Sequence, residues 1–283
     1  MRLQAWQVGL DIQAGFARAI AVQRRRHGWQ LRHWWQHPLP PFTLREGILH
    51  ETAPLIAILS CWRKTLPTAF SLRISLPAQR IMQQRMAAPD ARLGEPQRSA
   101  FIFANAAKQF PLGMEHLVMD YRADPHGDNQ LVVTAARQQE IEQWVQCMAQ
   151  ARLFPDAIEL APCALQMAAC AAGVPGDALL IHPLDDAFLW ASPHSLPFQF
   201  GLLDHAEVVT ETSVSQKIRT QYRAAALCHA EDYFSGEFSG ESSFAAMQCW
   251  SPLSAIVQLS APLPANPGAF APAVGLAIRQ ADN

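Results

Sequence analysis

The chain has 283 residues, half of them hydrophobic and only 16% charged, with a formal net charge of −2. That composition excludes a disordered chain, and the charge excludes a nucleic-acid binder whose whole surface is basic. The length allows one large or two ordinary folded units with a substantial core.

Asp11 interrupts the first apolar run and Arg24-Arg25-Arg26 follow it, which does not match a signal peptide. No window approaches the roughly 18–20 uninterrupted apolar residues of a membrane span. A cytoplasmic location is therefore expected. Cys61, Cys147, Cys163, Cys170, Cys228 and Cys249 show no CxxC pair. They are expected to be small buried hydrophobes rather than a zinc site.

"VGLDIQAGFARAIAV" reads as strand, tight turn, strand, with Asp11 closing the first strand and Gly15 in the turn. Arg24 to Gly28 turns the chain again, and "WQLRHWWQHPLP" is a third strand ended by Pro38 and Pro40. Thr52 is the expected cap of a helix to about Leu66, with Leu55, Ile56, Leu59, Trp62 and Leu66 on one stripe. "FSLRISLP" alternates Leu72, Ile74 and Leu76, the pattern of a half-buried strand. "IMQQRMAAP" is a further candidate strand.

Gly94 and Pro96 open a helix to about Phe110, with Phe103, Ala106, Ala107 and Phe110 on one face. "HLVMDYRA" and "NQLVVTAAR" flank the turn "DPHGD" as a hairpin. A helix from about Gln138 to Arg152 is expected to bury Ile141, Trp144, Val145 and Met148. "DAIELAP" is a short strand and Cys163 to Ala172 a helix. After the break "GVPGD", "ALLIHPLDDAFLWAS" again reads strand, turn, strand, and "LPFQFGLL" is a candidate third strand. A helix from His205 to about Tyr222, a strand "AAALC", a loop-rich stretch and a terminal helix "APAVGLAIR" complete the chain. The order of elements points to a duplicated α/β architecture.

Several of these stretches together resemble the PilM family of type IV pilus assembly proteins, in particular its short HofM-type members. The opening hairpin, "REGILHETAPLIAIL", "ISLPAQRIMQQRMAAP", "AKQFPLGMEHLVMDYRAD", "LVVTAARQQEIEQWVQCMAQARLFPDAIELAPCALQMAA" and "AVGLAIR" carry the resemblance. It covers residues 2–172 well and 176–267 thinly. It implies an α/β, actin-like (FtsA-like) fold in two lobes. Residues 1–77 with the C-terminal helix 268–283 would form part of the first lobe. Residues 78–155 would be an inserted α+β subdomain, and 156–267 a reduced second lobe. The resemblance also implies a partner: the cytoplasmic N-terminal peptide of a single-span inner-membrane protein of the PilN or HofN type. Membrane association would then be indirect.

Actin-like ATPases hold nucleotide with three turns of small residues, because a larger side chain fills the phosphate's place. At the first turn Asp11 and Ile12 match, but Gln13 and Ala14 replace Gly and Ser, leaving Gly15. At the second, His182-Pro183-Leu184 replaces an Asp-x-Gly pattern. The carboxylate is lost, Pro183 has no N–H to donate, and Leu184 takes the glycine position. Asp185 and Asp186 would bring negative charge towards a phosphate. The third turn reads Cys228-His229-Ala230-Glu231. Asp11, Gln13, Gly15, His182 and Leu184 are thus expected to be vestiges, with no nucleotide, magnesium or other cofactor.

For the partner peptide the resemblance points to a groove between the first subdomain and the insertion. There Leu76, Pro77, Ile81 and Met82 would form the lining and Arg80 or Arg85 the rim, unless Leu76 and Met82 are plain core. The expected function is a non-catalytic scaffold of a pilus or DNA-uptake complex. An active ATPase, or a binder of nucleic acid or anionic lipid through Arg24–Trp35, is the alternative. For that basic hairpin the plainer reading is a solvated tip with its tryptophans packed on the sheet, and nucleic acid is not an expected partner. His182, Asp185, Asp186 and His194 match no metal-ligand spacing, and Asp120 and Tyr121 read as strand residues rather than an acid–base pair.

Overall fold

The computed structural model describes residues 5–207, 211–221, 231–235 and 247–279. In chain order these form β1 (Trp6–Ile12), β2 (Phe16–Arg25), β3 (Gly28–Pro38), a two-stranded hairpin of β4 (Leu44–Arg45) and β5 (Ile48–Leu49), α1 (Thr52–Arg63) and β6 (Phe70–Leu76). Then come β7 (Met82–Ala87), α2 (Gln97–Ala106), β8 (Leu117–Ala123), β9 (Gln130–Arg137), α3 (Gln138–Gln150), β10 (Ala157–Leu160) and α4 (Ala161–Ala171). The last group is β11 (Leu179–Pro183), β12 (Ala187–Ala191), β13 (Phe200–Asp204), α5 (Glu211–Gln221), β14 (Asp232–Ser235), β15 (Gln248–Trp250) and α6 (Ala271–Ile278).

Two five-stranded sheets repeat one topology, β10-β6-β1-β2-β3 and β15-β14-β11-β12-β13. Each is an antiparallel meander with two parallel strands added beside its first strand. The duplication expected from element order is therefore present. A third sheet, β7-β9-β8, is the inserted α+β unit. Its own core joins Ile102, Ala106 and Phe110 to Leu131 and Val133.

Helices α4 and α6 lie between the two large sheets. Ile20 and Val22 of β2, Leu165 and Ala168 of α4, Val274 and Ala277 of α6, and Leu180 and Leu189 of the second sheet share one core. The approach is close because the contact residues are small. A Cβ on Gly275 would lie 1.8 Å from the Ala164 carbonyl oxygen, and one on Gly9 of β1 would lie 2.1 Å from that of Ala273. On the outer face of the first sheet, α1 and α3 bury Leu55, Leu59, Trp144 and Met148 against Leu72 and Ile74. On the outer face of the second, α5 buries Val214 and Ile218 against Ile181 and Trp190.

Several expectations change in this setting. Strand β6 is buried on both faces, Arg73 and Ser75 included, because helices cover both sides of its sheet. Thr52 opens α1, but the cap position is Glu51, with no side-chain cap bond. In α3 it is Cys147, not Val145, that turns inward; Val145 is 44% exposed. Ile102 is the buried anchor of α2, and Phe103 lies at the core's margin against Tyr121. Cys147 and Cys163 are buried, whereas Cys61, Cys170 and Cys249 are exposed. Strand β10, beyond the boundary drawn at 155, pairs with β6 in the first sheet. Helix α3, within the proposed insertion, packs in the first lobe's core. The strand expected at "AAALC" lies outside the described residues.

Candidate functional site

The first turn is closed by Gln13 N–H donating to the Phe16 carbonyl at 2.9 Å. Strand β1 delivers Asp11 to its base, opposite Arg18 of β2. Asp11 is 1% exposed. Its Oδ1 accepts from Gln13 Nε2 at 2.8 Å and from the Ser75 hydroxyl, while Oδ2 has no partner among the described residues. Burial holds the Asp11 carboxyl above the usual carboxylate range, against the pull of those two bonds and of Arg18. The Gly15 N–H, which in a nucleotide site would face a phosphate, donates to Asp185 Oδ2 at 2.8 Å. The Asp185 carboxylate thus stands at an anion position and reaches it from the second lobe.

At the second turn, His182 is 1% exposed on β11, with Nδ1 2.7 Å from Ser235 Oγ and Nε2 unpartnered. Burial, with a smaller contribution from the Arg18 charge, pushes its pKa down to about 3, so the imidazole is neutral at physiological pH. Leu184 is buried in the interlobe core, and its N–H is spent on the Ala187 carbonyl at 2.8 Å. Three requirements of a triphosphate cradle therefore go unmet. The first turn's N–H faces a carboxylate, the second turn offers a proline and a leucine, and no carboxylate ends β11. Of the third turn, residues 228–230 lie outside the described set. The carbonyl of Glu231 accepts from Leu179 N–H at 2.9 Å.

A cavity of about 930 Å³ opens elsewhere, between the inserted sheet and the wall made by β10 and α4. Val118, Asp120 and Arg122 of β8 line one side, and Ile158, Gln166 and Met167 the other. Strand alternation puts those three β8 side chains on one face. Strand β8 pairs with β9 alone among the described residues, so no strand covers its outer edge, although Asp120 already accepts from the Tyr121 N–H. The thiols of Cys163 and Cys170 also face the cavity. Burial pushes the Cys163 thiol up to about 12, and Arg122 Nη1 lies 3.7 Å from its sulfur. Glu159 is neutralised by Arg279 at 2.9 Å.

Of the six residues expected to form a peptide groove, Leu76 lines this cavity. The other five point elsewhere. Pro77 and Arg80 lie against Gly47, and Arg80 is paired with Glu140. Ile81 packs on the first lobe's core and Met82 inside the insertion. Arg85 pairs with Asp124 at 2.9 Å and donates to the Phe198 carbonyl at 2.8 Å, tying the insertion to the second lobe. Sequence reasoning missed the β8 face and the α4 wall. The only signals were the β8 alternation and the spacing of Cys163, Met167 and Cys170 along α4.

In the basic hairpin, Trp34 meets Phe270 edge-on and Trp35 stacks on Trp62 at 4.9 Å, on opposite faces of the sheet. Among the described residues no group of His, Cys, Asp and Glu is arranged to hold a metal. Tyr121 donates to Glu95 at 2.6 Å, and Asp120 accepts from the Tyr121 backbone, both structural contacts. Among the described residues no helix is long and apolar enough to cross a membrane.

The family described as type IV pilus assembly protein PilM matches residues 9–179. DNA utilization protein HofM of Escherichia coli (strain K12) is 26% identical over 99% of this chain and 100% of its own. Among solved structures, a PilM–PilN type IV pilus biogenesis complex superposes with a TM-score of 0.71 at 16% identity, over 98% of each chain. The cytoplasmic domain of EpsL, an inner membrane component of the type II secretion system of Vibrio cholerae, gives 0.59 at 9% identity, over 99% and 97%. The chain shares their fold, the actin-like two-lobed arrangement with an inserted α+β subdomain.

Proposed function

The chain belongs to the PilM family of type IV pilus assembly proteins, and on that premise we propose that it is a non-catalytic scaffold of a pilus or DNA-uptake assembly. Its client is the extended N-terminal tail of a PilN-like protein anchored in the inner membrane, and that tail brings the scaffold to the membrane. The observation that carries this reading is the open cavity, lined by apolar and charged side chains together, beside the unpaired edge of β8. Such a site suits an extended peptide, which gains backbone hydrogen bonds at the strand edge and specificity from side chains in the cavity. The solved relative in complex with PilN supports the choice of partner.

The ATPase alternative draws no support from the inherited turn. Asp185 already accepts the hydrogen bond that a phosphate would need, and Pro183 and Leu184 supply no cradle.

Fluorescence anisotropy with the N-terminal peptide of the cognate PilN-like protein tests the proposal. Binding is expected for the wild type, with a loss of roughly tenfold or more in Val118→Asp, which places an unpaired charge in the cavity. Absence of binding by the wild type, or indifference to Val118→Asp, would overturn it.

A further inference from the structure

We infer that the tip of the β2–β3 hairpin, with the chain that runs beside it, is a docking surface for an anionic lipid bilayer. Charge is the first ground. Residues 23–33 around the tip hold four arginines and two histidines and no Asp or Glu, in a chain whose net charge is −2. The adjoining segment, 247–279, also lacks any acid. The two run together in space: Leu31 N–H donates to the Gln258 carbonyl at 2.9 Å, and Gln258 N–H to the Trp29 carbonyl at 3.1 Å. At this edge Arg24, Arg26 and Arg32 are exposed, and among the described residues no carboxylate pairs with them. Uncompensated arginines clustered at one edge attract a negatively charged surface.

The neighbouring side chains select the occupant. Val257 lies against Gly28 at the tip and is 64% exposed; Leu259, two residues on, is 43% exposed. Exposed aliphatic groups beside arginines match the headgroup–acyl boundary of a bilayer. Single-stranded nucleic acid requires free aromatic platforms instead. Here the rings are engaged. Trp29 carries the Arg24 guanidinium at 5.0 Å, Trp34 is held by Phe270 and the Pro262 carbonyl, and Trp35 stacks on Trp62.

Trp29 also lines the cavity proposed for the partner's tail. The basic edge therefore borders that cavity, which on the scaffold reading receives a membrane-tethered tail. Only this last alignment rests on the scaffold reading; the charge and the exposed aliphatics do not.

Co-sedimentation of the full chain with phosphatidylcholine vesicles and with mixed phosphatidylcholine–phosphatidylglycerol vesicles, across a sodium chloride series, tests the inference. Retention is expected on the anionic vesicles alone and should weaken with salt. Arg24→Glu/Arg26→Glu should lower partitioning roughly tenfold or more. Val257→Asn, which removes the apolar contact without changing charge, should lower it severalfold with little change in the salt slope. No retention, equal retention on neutral vesicles, or indifference to the charge reversal would overturn the inference. So would a short single-stranded oligonucleotide that binds the same arginines and displaces the protein from the vesicles. The altered side chains are exposed, and a thermal melt checks that each variant folds. Peptide anisotropy on the wild type separates the two claims. Vesicle binding without peptide binding sinks the scaffold reading and leaves this inference standing.

Discussion

Gly15 and Asp185, 170 residues apart and in different lobes, are joined by a hydrogen bond of 2.8 Å from the glycine N–H to the carboxylate. The contact leaves no room for a side chain: a Cβ on Gly15 would lie 2.5 Å from Asp185 Oδ2. Gly15→Ala should push the carboxylate aside, and Asp185→Ala should remove the acceptor. Asp185 is exposed, so each change is expected to cost only about 1 kcal/mol, read as a small shift in denaturation midpoint. Calorimetry of the wild type with Mg-ATP should record no binding heat, and micromolar affinity would refute the vestigial reading of this turn.

His182 provides a pH signature. Its pKa falls from an ordinary 6.5 to about 3 on burial, so the unfolded chain binds the extra proton first as the solution is acidified. Its contribution to stability is complete above about pH 6.5 and is lost as the pH falls towards 3, at no more than about 1.4 kcal/mol per pH unit. Asp11 acts with the opposite sign, because its carboxyl is raised and its cost is incurred as the pH rises through that elevated value. Urea titrations between pH 4 and 7 should show a shallower acid loss in His182→Gln than in the wild type. Identical slopes would mean that His182 is not held neutral by burial.

The cavity contains its own reporter. Cys170 is exposed and faces the space proposed for the partner's tail, whereas Cys163 beside it is buried with a thiol pKa near 12. Alkylation followed by mass spectrometry should modify Cys170 and spare Cys163. Saturating partner peptide should slow the reaction at Cys170 and leave Cys61 and Cys249 unchanged as internal controls. An unaltered Cys170 rate in a saturated complex would place the peptide elsewhere.

The contact between α4 and α6 predicts the largest stability effect. A methyl group at Gly275 would meet the Ala164 carbonyl at 1.8 Å, in the core that joins the lobes. Gly275→Ala should cost about 2–3 kcal/mol by forcing the helices apart, measurable in urea. A wild-type midpoint would show that the helices separate freely.

Much of the architecture was legible in the residues because it is encoded locally. Turn residues marked the hairpins, β8 and β9 among them, apolar stripes marked α1 and α2, and the repeated meander announced the duplication. Local signals also misled where burial came from both sides. Leu72, Ile74 and Leu76 suggested a strand with one wet face, but α6 covers that face and buries Arg73 and Ser75. Of the six residues expected to form the peptide groove, Leu76 alone lines the cavity between β8 and α4, and the others are engaged elsewhere. Pro77, Arg80 and Arg85 follow Leu76 within a short stretch of sequence, yet partners from distant elements, Gly47, Glu140 and Asp124, hold them away.

By itself the sequence determined the order and kind of the elements, and it shows a proline, which has no N–H to donate, and a leucine at the second turn. Only the tertiary structure decided what faces the first turn and where an open surface remains. Both depend on groups distant in the chain meeting between separate elements: a carboxylate reaching a backbone N–H 170 residues away, and a helix wall facing an unpaired strand edge. Chain spacing carries no record of such meetings, because packing between elements, rather than any local preference, brings them about.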